Sequence, residues 1–378
     1  MELSKEQKQF AEAIREFSLR ECGTLAQRDA VTDGGTLSNS PQILAKLAEL
    51  GWLGVSLPAE YGGGGAGFVD ECVFLEETSR GLLPITGYST GLTAAQTYLR
   101  WGSPEQKKTI VSNLAAGKLE AIALSEPGAG SDLGGVRVRS VSEGDEYVIN
   151  GQKTWISAAH VAEHLLVLTR EDSSGTKHEG LTLLMVPTQT PGLEIRGIPT
   201  MEAHTVNDVF FTDVRVPASA VVGRPRNAWK QLMRGLSVER LIIAAMSLGA
   251  ARRSLDDVIA YVGQREQFGR KIGSFQVLRH RIADLATDIA FAQAFVYDAA
   301  ARVDAGQEDD LARESAMAKM RCTEIAKNTA LQAMQMMGGY GYAREYGMEG
   351  QVRKALAPPI YGGTNEIQRE IIAKSLEL

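Results

Sequence analysis

Glu239 has the clearest chemical promise in this chain. It lies in a run of helical spacing from about Trp229 to Val262. At intervals of three and four, Leu232, Leu236, Glu239, Ile243, Met246 and Ala250 form one stripe that is apolar except at Glu239. A carboxylate on a buried stripe loses hydration, which favours its neutral form and raises its pKa. Such a group is a general base that works near neutral pH. The plainer reading is a glutamate near a helix start, paired with Arg240 or another cation.

Four further segments read as ligand-binding. In Ala123-Leu124-Ser125-Glu126-Pro127-Gly128-Ala129-Gly130-Ser131-Asp132, small residues after Pro127 let backbone N–H groups approach a ligand, and Ser125 and Ser131 add hydroxyls. Trp155-Ile156-Ser157 offers a flat aromatic wall and another hydroxyl. Arg265-Glu266-Gln267-Phe268-Gly269, with Gln276 close behind, brings a guanidinium fork suited to a pyrophosphate. The fourth segment is Gln335-Met336-Met337-Gly338-Gly339-Tyr340-Gly341-Tyr342, followed by Pro359-Ile360-Tyr361-Gly362-Gly363-Thr364-Asn365-Glu366-Ile367-Gln368-Arg369. Each alone could be a turn, a cap or a helix contact. Their joint order and spacing is the signal.

Three other patterns match well-known sites in the wrong setting. Gly87-Tyr88-Ser89-Thr90-Gly91 fits the nucleophile elbow of hydrolases but falls in a helical region without a preceding strand. Gly62, Gly64 and Gly67 have dinucleotide-site spacing but follow a turn-like lead, Pro58 to Tyr61. His160-Val161-Ala162-Glu163-His164 has zinc-peptidase spacing, yet it falls between two strand-like runs and reads as a surface loop.

Composition narrows the partners. The 378 residues suffice for two or three domains, and 44 % hydrophobic with 23 % charged residues is ordinary for a globular protein. A net charge of −6 and a pI of about 5.6 argue against nucleic acid or anionic membrane as the main partner. Cys22, Cys72 and Cys322 form no CxxC pair and suit a reducing compartment. No metal site is expected. The N-terminus lacks an unbroken apolar core, and the longest apolar run, Leu241 to Met246, is too short for a bilayer. Cytoplasmic residence is expected.

These groups need elements to position them. Residues 1–118 read as helices, with Phe10, Ile14 and Phe17 on one face and Ile43, Leu44, Leu47 and Leu50 on another. Residues 119–228 read as a β domain. Tyr147-Val148-Ile149, Asn150-Gly151 and Lys153-Thr154-Trp155-Ile156 predict a hairpin, and strand-like runs follow at Leu165–Leu168, Leu181–Val186, Val209–Phe211 and Val214–Val216. Helical spacing returns over 229–378. The order α, β, α lacks the alternation of a doubly wound sheet and predicts an α+β protein.

At these segments the chain resembles the acyl-CoA dehydrogenase family over essentially its full length. The resemblance implies an N-terminal helical domain, a middle β-barrel-like domain and a C-terminal four-helix bundle. It implies FAD, a homotetramer, and α,β-dehydrogenation of an acyl thioester. Ile122, Leu124, Ser125, Trp155, Ile156 and Ser157 would face the isoalloxazine. Ser131 would touch both cofactor and thioester arm. Arg265, Gln267, Phe268, Gln276 and Gln335 to Gly339 would hold the FAD pyrophosphate and adenosine across a subunit interface, with Thr364, Asn365 and Glu366 at the adenine half. Ser131, Ser237, Arg240, Tyr361 and Gly362 would line the thioester site.

Two departures from the family pattern matter. Many members carry the base in a Tyr-Glu-Gly-Thr segment, which here reads Tyr361-Gly362-Gly363-Thr364. A minority, resembling the isovaleryl- and long-chain-specific enzymes, carry it on the earlier helix, at the position of Glu239. Two residues before the base many members have Asp, against the pantetheine arm. Here it is Ser237, which leaves an acyl-carrier protein open as an alternative to coenzyme A. The implied mechanism has Glu239 take the α-proton as the β-hydrogen leaves as hydride to flavin N5. The Gly362 N–H polarises the carbonyl, and an electron-transferring flavoprotein is the acceptor. The rival readings are a flavin oxidase or monooxygenase of the same fold, a hydrolase at Ser89, and a non-catalytic subunit.

Overall fold

The structure, a computed structural model, describes residues 2–172 and 175–377. Helices α1 (Lys5–Cys22), α2 (Leu25–Val31), α3 (Pro41–Glu49), α4 (Phe68–Arg80), α5 (Thr86–Trp101) and α6 (Pro104–Ala115) come first. Strands β1 (Leu119–Ala123), β2 (Arg139–Glu143), β3 (Glu146–Ser157), β4 (Ala162–Arg170), β5 (Leu181–Pro187), β6 (Leu193–Gly197) and β7 (Val206–Pro217) follow. The chain continues through α7 (Ala228–Gln264), the short pair β8 (Glu266–Gln267) and β9 (Arg270–Lys271), α8 (Gln276–Asp304), α9 (Ala312–Met337), α10 (Gly339–Tyr342), α11 (Met348–Leu356) and α12 (Asn365–Ser375). The expected α+β class and α, β, α order hold. Local signals start several helices. Ser4 with Gln7, and Ser103 with Gln106, close reciprocal capping boxes on α1 and α6.

Packing divides the chain into two units that interleave in sequence. One contains the residues up to Ala30, Gly67–Leu83, and those from Ser237 on. Here α9 packs against α8, α11 and α12, and α4 against α1 and α8. Two adjacent carboxylates are buried in it because both are paired. Glu76 receives Gln293 Nε2 at 2.7 Å and Tyr297 OH at 2.9 Å and pairs with Arg252, while Glu77 meets Arg15 at 2.6 Å.

The second unit holds Val31–Ala66 and Pro84–Leu236. Its centre is a curled seven-stranded sheet of order β1-β4-β2-β3-β7-β6, with β5 on β4. β1 runs parallel to β4, while β2, β3 and β7 pair antiparallel in series. Ile149, Val167, Leu184, Val209 and Val214 are buried at its core.

The expected hairpin turn at Asn150-Gly151 is not a turn. β3 runs straight through it, and the β2–β3 turn is Gly144-Asp145, where Glu143 faces Glu146 and Gly144 has φ +65°. Asn150 instead exchanges hydrogen bonds of 2.9 Å with the Asp213 carboxylate and backbone N–H, and Gly151, at φ +135°, takes up a register slip against β7. β1, β2 and β6 were not expected, and Val209–Phe211 and Val214–Val216 join into the single strand β7.

Candidate active site

The sheet unit brings two of the expected segments side by side. Thr154 N donates to Ser125 O at 3.0 Å, and Lys153 Nζ donates to Leu124 O at 2.8 Å. β3 slips register again between Lys153 and Ile156, which puts Trp155 at φ +61° and leaves its indole 60 % exposed. Ile122, Leu124, Ser125 and Ser157 are half-buried and Ser131 is exposed, so their edges are open to a ligand. Ile156 differs, because its side chain is buried in the sheet core and its carbonyl accepts from Asn207 Nδ2 at 2.9 Å.

Sequence reasoning missed what holds this wall. Lys153 is fully buried, and its ammonium lies 2.8 Å from Glu126 Oε1. Glu126 also accepts from the backbone N–H groups of Arg137 at 2.6 Å and Val138 at 2.9 Å. Burial lowers the Lys153 pKa to about 8 against the pull of Glu126. Removing one partner of such a pair leaves a buried charge uncompensated. Lys153→Ala is therefore expected to lower unfolding free energy by roughly 3–5 kcal/mol in denaturant titration. A loss below about 1 kcal/mol would mean the pair is dispensable.

In the helical unit, α7 is buried on most sides: Val238, Leu241, Ile242, Ala244, Ala245 and Leu248 are all interior. The expected stripe is mixed: Leu232 and Ile243 on it are buried, while Leu236, Glu239, Met246 and Ala250 are half-buried. Glu239 reaches accessible space on that side and is packed by protein on the rest. Burial pushes its carboxyl above the usual carboxylate range, opposed by the charges of Arg240 and Lys319. Arg240 and Ser237 are buried beside it, and Tyr361 is exposed.

The Gly362-Gly363 turn lies next to this carboxylate. Both glycines have positive φ, +62° and +75°. A Cβ built on Gly362 would lie 3.7 Å from Glu239 Oε1 and would collide with Ile243 Cδ1. The turn is tied down from below. Gln368 Nε2 donates to Gly362 O at 3.1 Å and Gly363 O at 2.9 Å, and Lys319 Nζ donates to Gly363 O at 2.8 Å. Among the described residues no acceptor takes the Gly362 N–H.

The phosphate-type residues of this unit border two cavities. One, of about 530 Å³, is lined by Arg265, Gln267, Ile272, Met336, Met337, Gly338, Gly339 and Tyr340. The other, of about 360 Å³, is lined by Lys327, Thr364, Asn365, Glu366 and Arg369 among others. The Arg265 guanidinium lies 5.3 Å from the Tyr340 ring centre. Phe268 is 93 % exposed and Gln276 starts α8. Gln335 is exposed, while the Met336 and Met337 side chains are buried, so those two can offer only backbone. Asn365 is committed internally: its Oδ1 accepts from Lys319 at 3.1 Å and its Nδ2 bonds Thr323 at 3.1 Å.

The misleading patterns resolve. Ser89 lies inside α5 and donates to Thr86 O at 2.9 Å, with no strand leading in. Gly62, Gly64 and Gly67 surround a short 3₁₀ turn and the start of α4. His160 stacks on His204 at 3.8 Å, and His164, on β4, sits 3.2 Å from Glu120.

Family models of the acyl-CoA dehydrogenase N-terminal, middle and C-terminal domains match residues 4–118, 121–214 and 228–377. The chain belongs to the acyl-CoA dehydrogenase family. It is 37 % identical over 390 residues to a probable acyl-CoA dehydrogenase, YngJ, of Bacillus subtilis strain 168, covering 99 % of each. It is 32 % identical over 383 residues to the caffeyl-CoA reductase-Etf complex subunit CarC of Acetobacterium woodii, covering 100 % of this chain and 99 % of that one. The crystal structure of an acyl-CoA dehydrogenase from Geobacillus kaustophilus superposes with a TM-score of 0.92 at 33 % identity, covering 100 % and 99 %. The acyl-CoA dehydrogenase fold thus comes with an oxidoreductase that acts on CH–CH bonds and uses FAD. The residues fit that cofactor. An open cavity joins a guanidinium to the Gly338-Gly339 backbone, at whose positions a Cβ would meet nothing within 4 Å, and the sheet unit offers an exposed indole and the half-buried Ser125 and Ser157.

Proposed function

We propose that this enzyme dehydrogenates an acyl thioester, taken as acyl-CoA, to the trans-2-enoyl thioester, with Glu239 as the base. The observation that carries the reading is the convergence at Gly362. A side chain there would start 3.7 Å from the Glu239 carboxylate, so the helix and the turn address one point. Glu239 takes the α-proton, and its raised pKa matches it to that task near neutral pH. The Gly362 N–H, without an acceptor of its own, receives the thioester carbonyl and stabilises the charge that develops there. Ser237 and Arg240, buried beside the base, and Tyr361 on the turn are the residues of this unit that meet the thioester. FAD, when bound, supplies the two-electron acceptor for the β-hydrogen. The base placement groups the enzyme with the isovaleryl- and long-chain-specific type and with fatty acid metabolism.

Anaerobic mixing with a series of acyl-CoA chain lengths is expected to bleach the flavin absorbance and yield the 2-enoyl product. A yellow protein that no acyl thioester bleaches would overturn the reading. An electron-transferring flavoprotein is proposed as acceptor, supported by the Etf complex of the Acetobacterium relative. That relative is named a reductase, and the same residues serve the reverse reaction, so enoyl-CoA reduction by reduced acceptor belongs in the assay. Slow reoxidation of the substrate-reduced enzyme in air is expected and would set aside an oxidase. Three buried cysteines outside any disulfide support a reducing, cytoplasmic setting.

We also propose a homotetramer in which a neighbouring subunit helps hold the FAD phosphates. Val277, Phe291 and Phe295 recur on one side of α8, and Phe291 is 77 % exposed. Phe291→Asp is expected to lower the mass seen by light scattering and to strip FAD during gel filtration. Full flavin content in a monomeric variant would refute the shared site.

A further inference from the structure

We propose that Lys319 is the positioning residue of this site: its ammonium fixes the Gly362-Gly363 turn that receives the substrate carbonyl, and its charge acts on the Glu239 carboxylate. The inference rests on Glu239 being the base, as argued above.

Lys319 lies on α9 and is completely buried. Its hydrogen-bond partners among the described residues are neutral: Gly363 O at 2.8 Å and Asn365 Oδ1 at 3.1 Å. The other fully buried lysine, Lys153, sits directly on a carboxylate. An ammonium held only by neutral acceptors is expensive to bury, and an apolar residue of similar volume is commonly as stable or more so. A stability role alone gives little reason for a charge at this place.

The placement gives one. Gly363 O receives both Lys319 and Gln368, and Gly362 O receives Gln368. The Gly362 carbonyl shares its rigid peptide plane with the Gly363 N–H, and the Gly363 carbonyl with the Thr364 N–H, so anchoring both fixes the two planes after Gly362 and narrows the backbone freedom that sets where the Gly362 N–H points. Thr323 Oγ1 and Asn365 extend the anchor into α9 and α12. At positive φ the two glycines would otherwise leave the turn many conformations.

The charged groups acting on Glu239 are Arg240 on its own helix and Lys319 from α9, both of which favour the carboxylate. Tyr361 is the titratable side chain of the adjoining turn, and Glu366 on α12 acts on Lys319. Burial brings the Lys319 pKa down to about 8, so it is still mainly charged at neutral pH.

The test compares two probes of equal chain length by calorimetric titration of the FAD-loaded protein: a 2-enoyl-CoA, which has the thioester carbonyl, and an S-alkyl-CoA thioether, which lacks it. Wild type is expected to prefer the carbonyl probe. Lys319→Met should lose about tenfold of that preference, with thioether affinity and FAD content unchanged. The acid limb of its flavin-reduction rate should move to higher pH, because a cation that favoured the ionised base is gone. Lys319→Gln keeps donors without the charge. It should recover part of the preference but not the limb, and it carries the test if the Met variant does not fold. Wild-type preference and limb in either variant would overturn the proposal. So would equal loss of both probes together with FAD, which is what a merely structural residue gives. A wild-type protein that acyl-CoA does not bleach would instead defeat the underlying reading of Glu239.

Discussion

Glu239→Gln is expected to abolish flavin reduction by acyl thioester while leaving FAD bound at wild-type stoichiometry. The substitution keeps shape and removes only the proton acceptor, so the rate should fall by several orders of magnitude. Stability should not fall with it at neutral pH. The folded pKa of Glu239 is raised, so the stability it contributes is present below the unfolded value and lost as pH rises. Well above the unfolded value the buried carboxyl is therefore a burden that glutamine lacks. In the wild type, the reduction rate should fall as pH drops through the raised pKa, with a midpoint above the ordinary glutamate range. Glu366→Gln is the contrast: exposed beside Thr364 on α12, it should weaken FAD retention and leave the proton step intact. Stopped-flow bleaching with flavin quantitation separates the two. Near-normal reduction in Glu239→Gln would assign the proton to another group.

The sequence was legible where side-chain type alone carries meaning. The Ser125 loop, Trp155-Ser157 and Arg265 could be singled out by residue type, and Glu239 as a carboxylate among apolar neighbours. The stripe it stands on is only partly closed, with Leu232 and Ile243 buried and the other members half-buried. α7 is apolar nearly all round from Val238 to Leu248, so the side bearing Glu239 is its more open one. Lys153 and Lys319 were invisible because a single lysine in a strand or helix reads as a solvated tip, and only tertiary packing shows the buried acceptors. Asn150-Gly151 mimicked a hairpin because a bulge and a turn both call for positive φ. The deciding partner, Asp213, is 63 residues away. β1 was hidden by Glu120, a buried carboxylate that breaks the apolar run and is accounted for by Asn113 Nδ2 at 2.7 Å and His164. β6 was the avoidable miss, since Leu193-Glu194-Ile195-Arg196-Gly197 alternates as a half-buried strand does.

Moving the base should restore measurable activity, though less simply than an empty glycine position suggests. In Glu239→Gly with Gly362→Glu, the new carboxylate starts from a Cβ 3.7 Å from where Glu239 Oε1 lay, close enough to reach the same α-carbon. Two costs oppose it. A side chain at φ +62° is strained by roughly 1–2 kcal/mol. The Cβ also collides with Ile243 Cδ1, so the space beside the turn is already filled. Ile243→Val removes that one carbon for about 0.5–1.5 kcal/mol of packing. The triple variant should therefore exceed the double variant, and both should exceed Glu239→Gly alone in anaerobic bleaching. Full recovery is not expected, because a carboxylate misplaced by about 1 Å can lose roughly a hundredfold in rate. Chain-length preference should shift as well, since the pocket beside the thioester loses a carbon at position 243 and gains a side chain at 362. If the triple variant binds FAD and acyl-CoA yet bleaches no faster than Glu239→Gly, the helix and the turn do not address one α-carbon. The convergence at Gly362 that supports Glu239 as the base would then fall.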